Sequence, residues 1–327
     1  MRVLVLLLVI TLIVSGCMLR PLMVARRIAV ARRVAAFRRA RAMPQAPKPG
    51  IQQLSMPSGG RMRSYALTVP SDLRGSVPLV IALHGLGGSG QQLIGDDGWS
   101  KLAPVKGFIV AGPDALPRDP DHAAAFGANP RMWRTGDKMG GNIDDVAFVR
   151  DLISTLEREY PIDRLRIYVV GHSNGGGMTF RMAMSDGKEI AAIGTVASQV
   201  PYAIDKPVHP MPTICFMGTD DPLIPPQGGS SKLPGTRLMK LPPASEYLGR
   251  WAVSNGYPAQ PQTVSDDKVA LVQRYGADFV TWLVKGQGHA WPGGEALKLP
   301  QQFIGPQLHS VDATSEIWAF ISSYRLR

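Results

Sequence analysis

Cysteine is almost missing from this chain. Two residues in 327, Cys17 and Cys215, leave no disulfide framework. No His/Cys cluster has metal-ligand spacing, so neither a metal nor a cofactor is expected. Acid is missing from residues 1–42, where nine arginines stand without one Asp or Glu. The net charge of +11 therefore belongs to that tail, and residues 43–327 carry only +2. A nearly neutral body excludes a nucleic-acid-binding fold. Internal repeats are absent too, which excludes a solenoid. What remains is long and apolar enough for one large α/β domain or two small ones, with 45% hydrophobic residues to fill a core.

No apolar run at the N-terminus is long enough to span a bilayer comfortably. Val3–Val14 has the length of a signal-peptide h-region instead. It ends in Val14-Ser15-Gly16-Cys17, which resembles a bacterial lipobox whose cysteine becomes lipidated. Residues 1–17 are thus expected to be a lipoprotein-type signal segment and Cys17 the lipidation site. The localisation expected is export, to the cell envelope or beyond. Residues 18–50 follow as an arginine-rich tail and a proline-rich linker, PQAPKPG at 44–50. Arginine pairs recur every six residues, at 26–27, 32–33 and 38–39. Such a tail suits either an interfacial basic helix on anionic lipid or a solvated spacer. The folded domain is expected over 51–327.

Within that domain, β-branched and aromatic residues at 166–170 run straight into Gly171-His172-Ser173-Asn174-Gly175, and helix-favouring residues follow. A G-x-S-x-G between strand and helix folds the chain sharply and holds the serine hydroxyl out of the turn. The next backbone N–H, that of Asn174, points to where an oxyanion would form. Glycine is abundant here, so the motif needs partners elsewhere in the chain.

The apolar strand pattern at 78–83 leads into His84-Gly85-Leu86-Gly87-Gly88. Gly85, Gly87 and Gly90 also spell a G-x-G-x-x-G, but the Gly95-Asp96-Asp97-Gly98 stretch interrupts the helix that a dinucleotide site requires. An H-G-x-G-G oxyanion loop is the better reading, with Leu86 N–H as second donor. Further strands are expected at 108–112, 191–198, 213–217 and 277–285. A helix is expected from an Asn142 cap to Tyr160, and another from Asp312 to Tyr324. Strands alternating with helices predict a mostly parallel sheet. The long segment 115–142 is a candidate binding loop, and its Trp133 a candidate substrate contact.

A nucleophilic serine needs a base and an acid. Asp220 and Asp221 both lie just past the strand at 213–217, where an orienting acid belongs, and spacing alone does not choose between them. His289 sits in a glycine-rich loop after a late strand, free to reach Ser173. His309 leads into the last helix instead.

Taken together, these stretches resemble the polyhydroxybutyrate depolymerases and feruloyl esterases of the α/β-hydrolase fold. The resemblance is carried by LVIALHGLGGSG (79–90), DDVAFVRDLI (144–153), RIYVVGHSNGGGM (166–178), GTDDPLIP (218–225), GHAWPGG (288–294) and DATSEIWAFI (312–321). It implies a single catalytic domain with Ser173 as nucleophile, His289 as base, Asp221 as acid, and Leu86 and Asn174 as oxyanion donors. It also implies that Trp291, beside His289, shapes the acyl site. The activity implied is serine ester hydrolysis of a 3-hydroxybutyrate-type oligomer or a feruloyl or aryl ester, with no cofactor. The partners expected are an ester substrate and, through Cys17 and the tail, an envelope membrane, with no nucleic acid. A peptidase of the same fold, or an envelope-anchored binding protein without catalysis, is the alternative. Fewer cysteines than in many secreted members, and no polymer-binding domain after the catalytic one, favour a small or oligomeric ester over a crystalline polymer.

Overall fold

The computed structural model describes residues 50–136, 143–199, 206–231, 239–297 and 299–326. The expectations for Cys17, for the signal segment and arginine-rich tail, and for an Asn142 cap lie outside these residues. The described chain belongs to one compact unit, 47–327.

The runs with no polar interruption make the centre of the sheet. β1 (Gln52–Ser58), β2 (Arg61–Thr68), β3 (Val77–Leu83), β4 (Ile109–Pro113), β5 (Ile162–His172), β6 (Ala192–Val196) and β7 (Thr213–Gly218) follow in chain order. β8 (Gly229–Ser231) and β9 (Met239–Leu241) pair in a small separate ribbon. β10 (Gln262–Asp266), β11 (Ala270–Arg274) and β12 (Phe279–Val284) complete the main sheet. Its order is β1-β2-β4-β3-β5-β6-β7-β12-β11-β10. The six central strands, β4 to β12, pair in parallel. The two outermost on each side pair antiparallel.

Every residue of β3, β4, β6 and β7 is buried. A parallel sheet covered on both faces leaves such strands no wet side. Side chains alternate between the two faces. Leu79, Ile81 and Leu83 join one core with Phe148, Leu152, Phe180 and Trp251. Val80 and Ala82 join the other with Trp99, Phe108, Ile317 and Trp318. The helices that supply these layers are α1 (Gly90–Asp96), α2 (Trp99–Lys106), α3 (Asp145–Glu159), α4 (Asn174–Asp186), α5 (Ala244–Ser254), the short α6 (Gln301–Ile304) and α7 (Ala313–Ile321).

α3 buries Phe148, Val149, Leu152, Ile153 and Leu156 at helical spacing. Its cap is Asp144, which accepts the Ala147 N–H at 2.9 Å. α7 is capped by Asp312, as its sequence predicts, but ends at Ile321. A helix does open within the glycines, at Gly90, and it runs only seven residues before the Asp96-Asp97-Gly98 turn.

The topology places the site. From β3 the chain moves outward to β4, then returns to lay β5 on the other side of β3. The turns leaving β3 and β5 therefore diverge and open a crevice at the carboxyl end of the sheet, where ligands of such folds bind. Leu83 pairs with Gly171, so the His84–Gly88 turn and the Ser173 turn leave the sheet side by side.

Candidate active site

Ser173 has φ 53° and ψ −117°, a left-handed conformation that is strained for a residue with a side chain. The strain is of order 1–3 kcal/mol. Two backbone hydrogen bonds hold it: Ser173 N–H to the Val196 carbonyl at 2.9 Å, and Gly177 N–H to the Ser173 carbonyl at 3.1 Å. The tight passage from β5 to α4 also needs glycine. A Cβ on Gly175 would overlap the Leu83 carbonyl, and one on Gly171 the Gly175 carbonyl.

β12 leads into Gly286-Gln287-Gly288-His289. That loop is fixed from below by the buried Gln287, whose Nε2 donates to the Ala290 carbonyl at 2.9 Å and whose Oε1 accepts the Leu308 N–H at 2.9 Å. The His289 N–H donates to the Ile304 carbonyl at 2.6 Å. The ring is thereby aimed at Ser173. Ser173 Oγ donates to His289 Nε2 at 2.9 Å, and His289 Nδ1 donates to Asp221 Oδ2 at 2.8 Å. That tautomer leaves Nε2 free to accept a proton.

Asp221 is buried just past β7, and its other oxygen accepts the N–H groups of Leu223 and Ile224 at 2.8 and 2.9 Å. Burial pushes its carboxyl up, but His289 and the two backbone N–H groups together outweigh it and hold the acid below its usual range. Asp220 is exposed, and its carboxylate bonds to its neighbour, accepting from Thr219 Oγ1. The geometry thus joins Asp221, not Asp220, to the histidine.

Of the two expected oxyanion donors, Asn174 follows the serine directly and Leu86 lines its cavity. Asn174 opens α4, so its N–H has no carbonyl a turn earlier to meet. Leu86 lines the same cavity as Ser173, and a Cβ on the adjoining Gly85 would lie 3.4 Å from that of Ser173.

His84 and His172, inside the two turns, have structural partners. Ala115 N–H donates to His84 Nε2 at 3.0 Å, and His84 Nδ1 donates to the Gly85 carbonyl at 2.7 Å. His172 Nε2 donates to the carbonyl of His289 at 2.7 Å. Burial, and next the neighbouring His289, lower its pKa to about 4, so it works as a neutral donor.

The aromatic expectations need correction. Trp133 is fully buried, its indole N–H donating to the His84 carbonyl at 2.9 Å. Trp291 is also buried, its indole N–H donating to Thr314 Oγ1 at 2.9 Å, with its ring edge-on to those of His172 and Trp99. Both stand behind the turns rather than at the cavity surface. Burying a large ring whose N–H finds a partner is the more favourable use of tryptophan here. The aromatic at the cavity is Phe126, 46% exposed in the same loop and lying on Gly87. Its flank AAAFGANP has no apolar period to mark it, and only its place in a long loop could have signalled it.

The cavity over Ser173 and His289 measures about 400 Å³. Leu93, Leu223, Leu297, Leu299 and Phe126 make it largely apolar. Among the described residues no group of three or more His, Cys, Asp or Glu is placed to hold a metal ion.

No family model matches the chain. Curated relatives do. NocK of Nocardia uniformis subsp. tsuyamanensis, a protein named as an esterase, is 28% identical over 257 residues, 72% of each chain. Feruloyl esterase B of Piromyces equi is 28% identical over 243 residues, 71% of this chain but 44% of its own length. A probable feruloyl esterase C of Aspergillus niger is 28% identical over 51% of this chain and 58% of its own. Beyond NocK, then, the chain spans about half the length of these relatives. Among solved structures, an acetyl xylan esterase from Aspergillus awamori superposes with a TM-score of 0.59 at 16% identity, covering 84% of this chain and 99% of that one. A thermostable esterase superposes at 0.51 with 16% identity, over 84% of this chain and 63% of that one. The serine turn, the mostly parallel sheet and these likenesses agree: the chain has the α/β-hydrolase fold and is similar in sequence to proteins named as feruloyl and other esterases.

Proposed function

We propose that the chain hydrolyses carboxylic esters by acyl transfer through Ser173, on a feruloyl or other aryl ester or a 3-hydroxybutyrate-type oligomer. The observation that carries this reading is the unbroken hydrogen-bonded chain from Asp221 through His289 to Ser173, at 2.8 and 2.9 Å. His289 takes the Ser173 proton as Oγ attacks the ester carbonyl. The developing oxyanion meets the N–H groups of Leu86 and Asn174, each donor of this kind being worth roughly 3–4 kcal/mol. Asp221 stabilises the imidazolium, which then protonates the departing alcohol. Water, activated by the same histidine, releases the acid and restores the serine. The names of the relatives favour the feruloyl ester. The apolar cavity with Phe126 at its side suits an aryl or short hydroxyacyl group.

The same proposal places the protein outside the cytoplasm. Val3–Val14 serves as the h-region of an export signal, Cys17 as the lipidated residue, and the arginine-rich tail as a contact to anionic lipid.

The test is hydrolysis of p-nitrophenyl acetate and butyrate, methyl ferulate and soluble 3-hydroxybutyrate oligomers by residues 43–327. Activity that vanishes in Ser173→Ala supports the reading, and the preferred ester narrows it. An inert domain, or a variant that keeps its rate, refutes it and returns attention to binding by the tail.

A further inference from the structure

Beside the catalytic residues, the wall of the cavity holds a carboxyl that the reaction does not use. Asp97 lines the cavity, and its side chain makes no hydrogen bond among the described residues. Its backbone is clamped instead. The N–H donates to the Leu93 carbonyl at 3.2 Å, and the carbonyl accepts Thr314 Oγ1 at 2.5 Å. Thr314 is itself the acceptor for Trp291, two residues after His289. Across from the carboxyl stands Gly294, where a Cβ would come within 2.6 Å of Asp97 Oδ1. The space is thus kept clear for the carboxyl, and its position is fixed by parts of the chain that also fix the site.

We propose that Asp97 is a specificity-determining residue whose carboxyl hydrogen-bonds a hydroxyl group carried by the ester substrate. The inference rests on the esterase reading and deepens it. An unpartnered carboxyl in a largely apolar cavity is costly, and a substrate hydroxyl removes that cost. Among the described residues no lysine or arginine lines the cavity. Asp96 and Glu295 line the same wall, and the Glu295 N–H donates to the Asp96 carbonyl at 2.9 Å. This wall repels an anionic ester. Burial first, and the Asp96 carboxylate second, hold the Asp97 carboxyl well above its usual range. In its neutral form it both donates and accepts, which matches a hydroxyl. The hydroxyl can sit on the acyl or the alcohol side of the ester.

The experiment compares kcat/KM within two matched pairs. On the acyl side these are methyl 3-phenylpropanoate and methyl 3-(4-hydroxyphenyl)propanoate. On the alcohol side they are cyclohexyl acetate and 4-hydroxycyclohexyl acetate. The wild-type protein is expected to prefer the hydroxylated ester at least about tenfold in one pair, carried mainly by KM. Asp97→Ala is expected to cut that preference below about twofold, and Asp97→Asn, which still donates and accepts, to keep part of it. No preference in either pair for the wild type overturns the inference, even should Asp97→Ala not fold. So does a preference that survives in Asp97→Ala. Failure to hydrolyse p-nitrophenyl acetate, or hydrolysis that persists in Ser173→Ala, instead overturns the esterase reading and this inference with it.

Discussion

The side-chain amide of Asn174 is latched to the backbone of Trp133: its Oδ1 accepts the Trp133 N–H at 2.7 Å and its Nδ2 donates to the Trp133 carbonyl at 3.1 Å. One residue thereby belongs to two devices. Its main chain opens α4 at the nucleophile turn, and its side chain holds the 115–136 loop in place. Asn174→Ala keeps the main-chain N–H and cuts the latch. The expected result is a kcat/KM about tenfold lower and stability lower by about 1–2 kcal/mol. Steady-state kinetics and urea unfolding of the same preparation check both.

His172 makes stability depend on pH. Its folded pKa is lowered to about 4, against 6.5 for the free side chain. Below pH 6.5 the unfolded chain takes up a proton that the folded chain refuses until about pH 4. Stability therefore falls as pH falls through that window, by roughly 3 kcal/mol if the whole shift is realised. Unfolding midpoints from pH 7.5 to 5 should drop more steeply for the wild type than for His172→Asn. Equal slopes would show that another group carries the acid sensitivity.

Phe126 and Trp291 should separate binding from packing. Phe126→Ala removes an exposed ring at the cavity and is expected to raise KM several-fold for aryl esters with little change in melting temperature. Trp291→Phe removes a buried indole whose N–H is bonded to Thr314, and should cost about 1–3 kcal/mol. Calorimetry beside kinetics on methyl ferulate distinguishes the two patterns.

A buried ion pair supports the loop from the opposite side. Arg63 Nη2 meets Asp145 Oδ1 at 2.8 Å with both side chains almost fully buried, and the guanidinium lies 3.7 Å from the centre of the Phe148 ring. Asp145 Oδ2 also accepts the Arg134 N–H at 3.0 Å. Asp145→Ala leaves the Arg63 charge without its partner and is expected to destabilise by about 3–5 kcal/mol. Replacing Arg63 and Asp145 together by apolar residues should cost less than Asp145→Ala alone, a comparison that denaturant midpoints supply.

The centre of the sheet was readable because runs such as Val77–Leu83 and Ile214–Met217 are apolar throughout, which only burial on both faces permits. The edges were not. β10 is exposed along its whole length, and β1 and β2 carry Gln, Ser and Arg among their apolar residues, so neither pattern stands out from loop. α5 was missed as well, since Pro243 precedes it without a side-chain cap. In the site, Ser173 and His289 follow from local glycine-rich turns, and the choice of Asp221 over Asp220 needed the resemblance. What the sequence hid was depth. A tryptophan in a loop reads the same whether it faces substrate or lies under it, and Trp133 lies under it. Phe126, preceded by three alanines in an aperiodic stretch, is placed only by the fold.

The pairing of Leu83 with Gly171 has a consequence for how such a protein can change. The reacting atoms take their spacing from neighbouring strands, which cannot slide without turning every core side chain to the wrong face. The segments around Phe126, Asp97 and Leu297 take theirs from loops. New substrates can therefore be acquired by rewriting those loops while the chemistry stays where the sheet has set it.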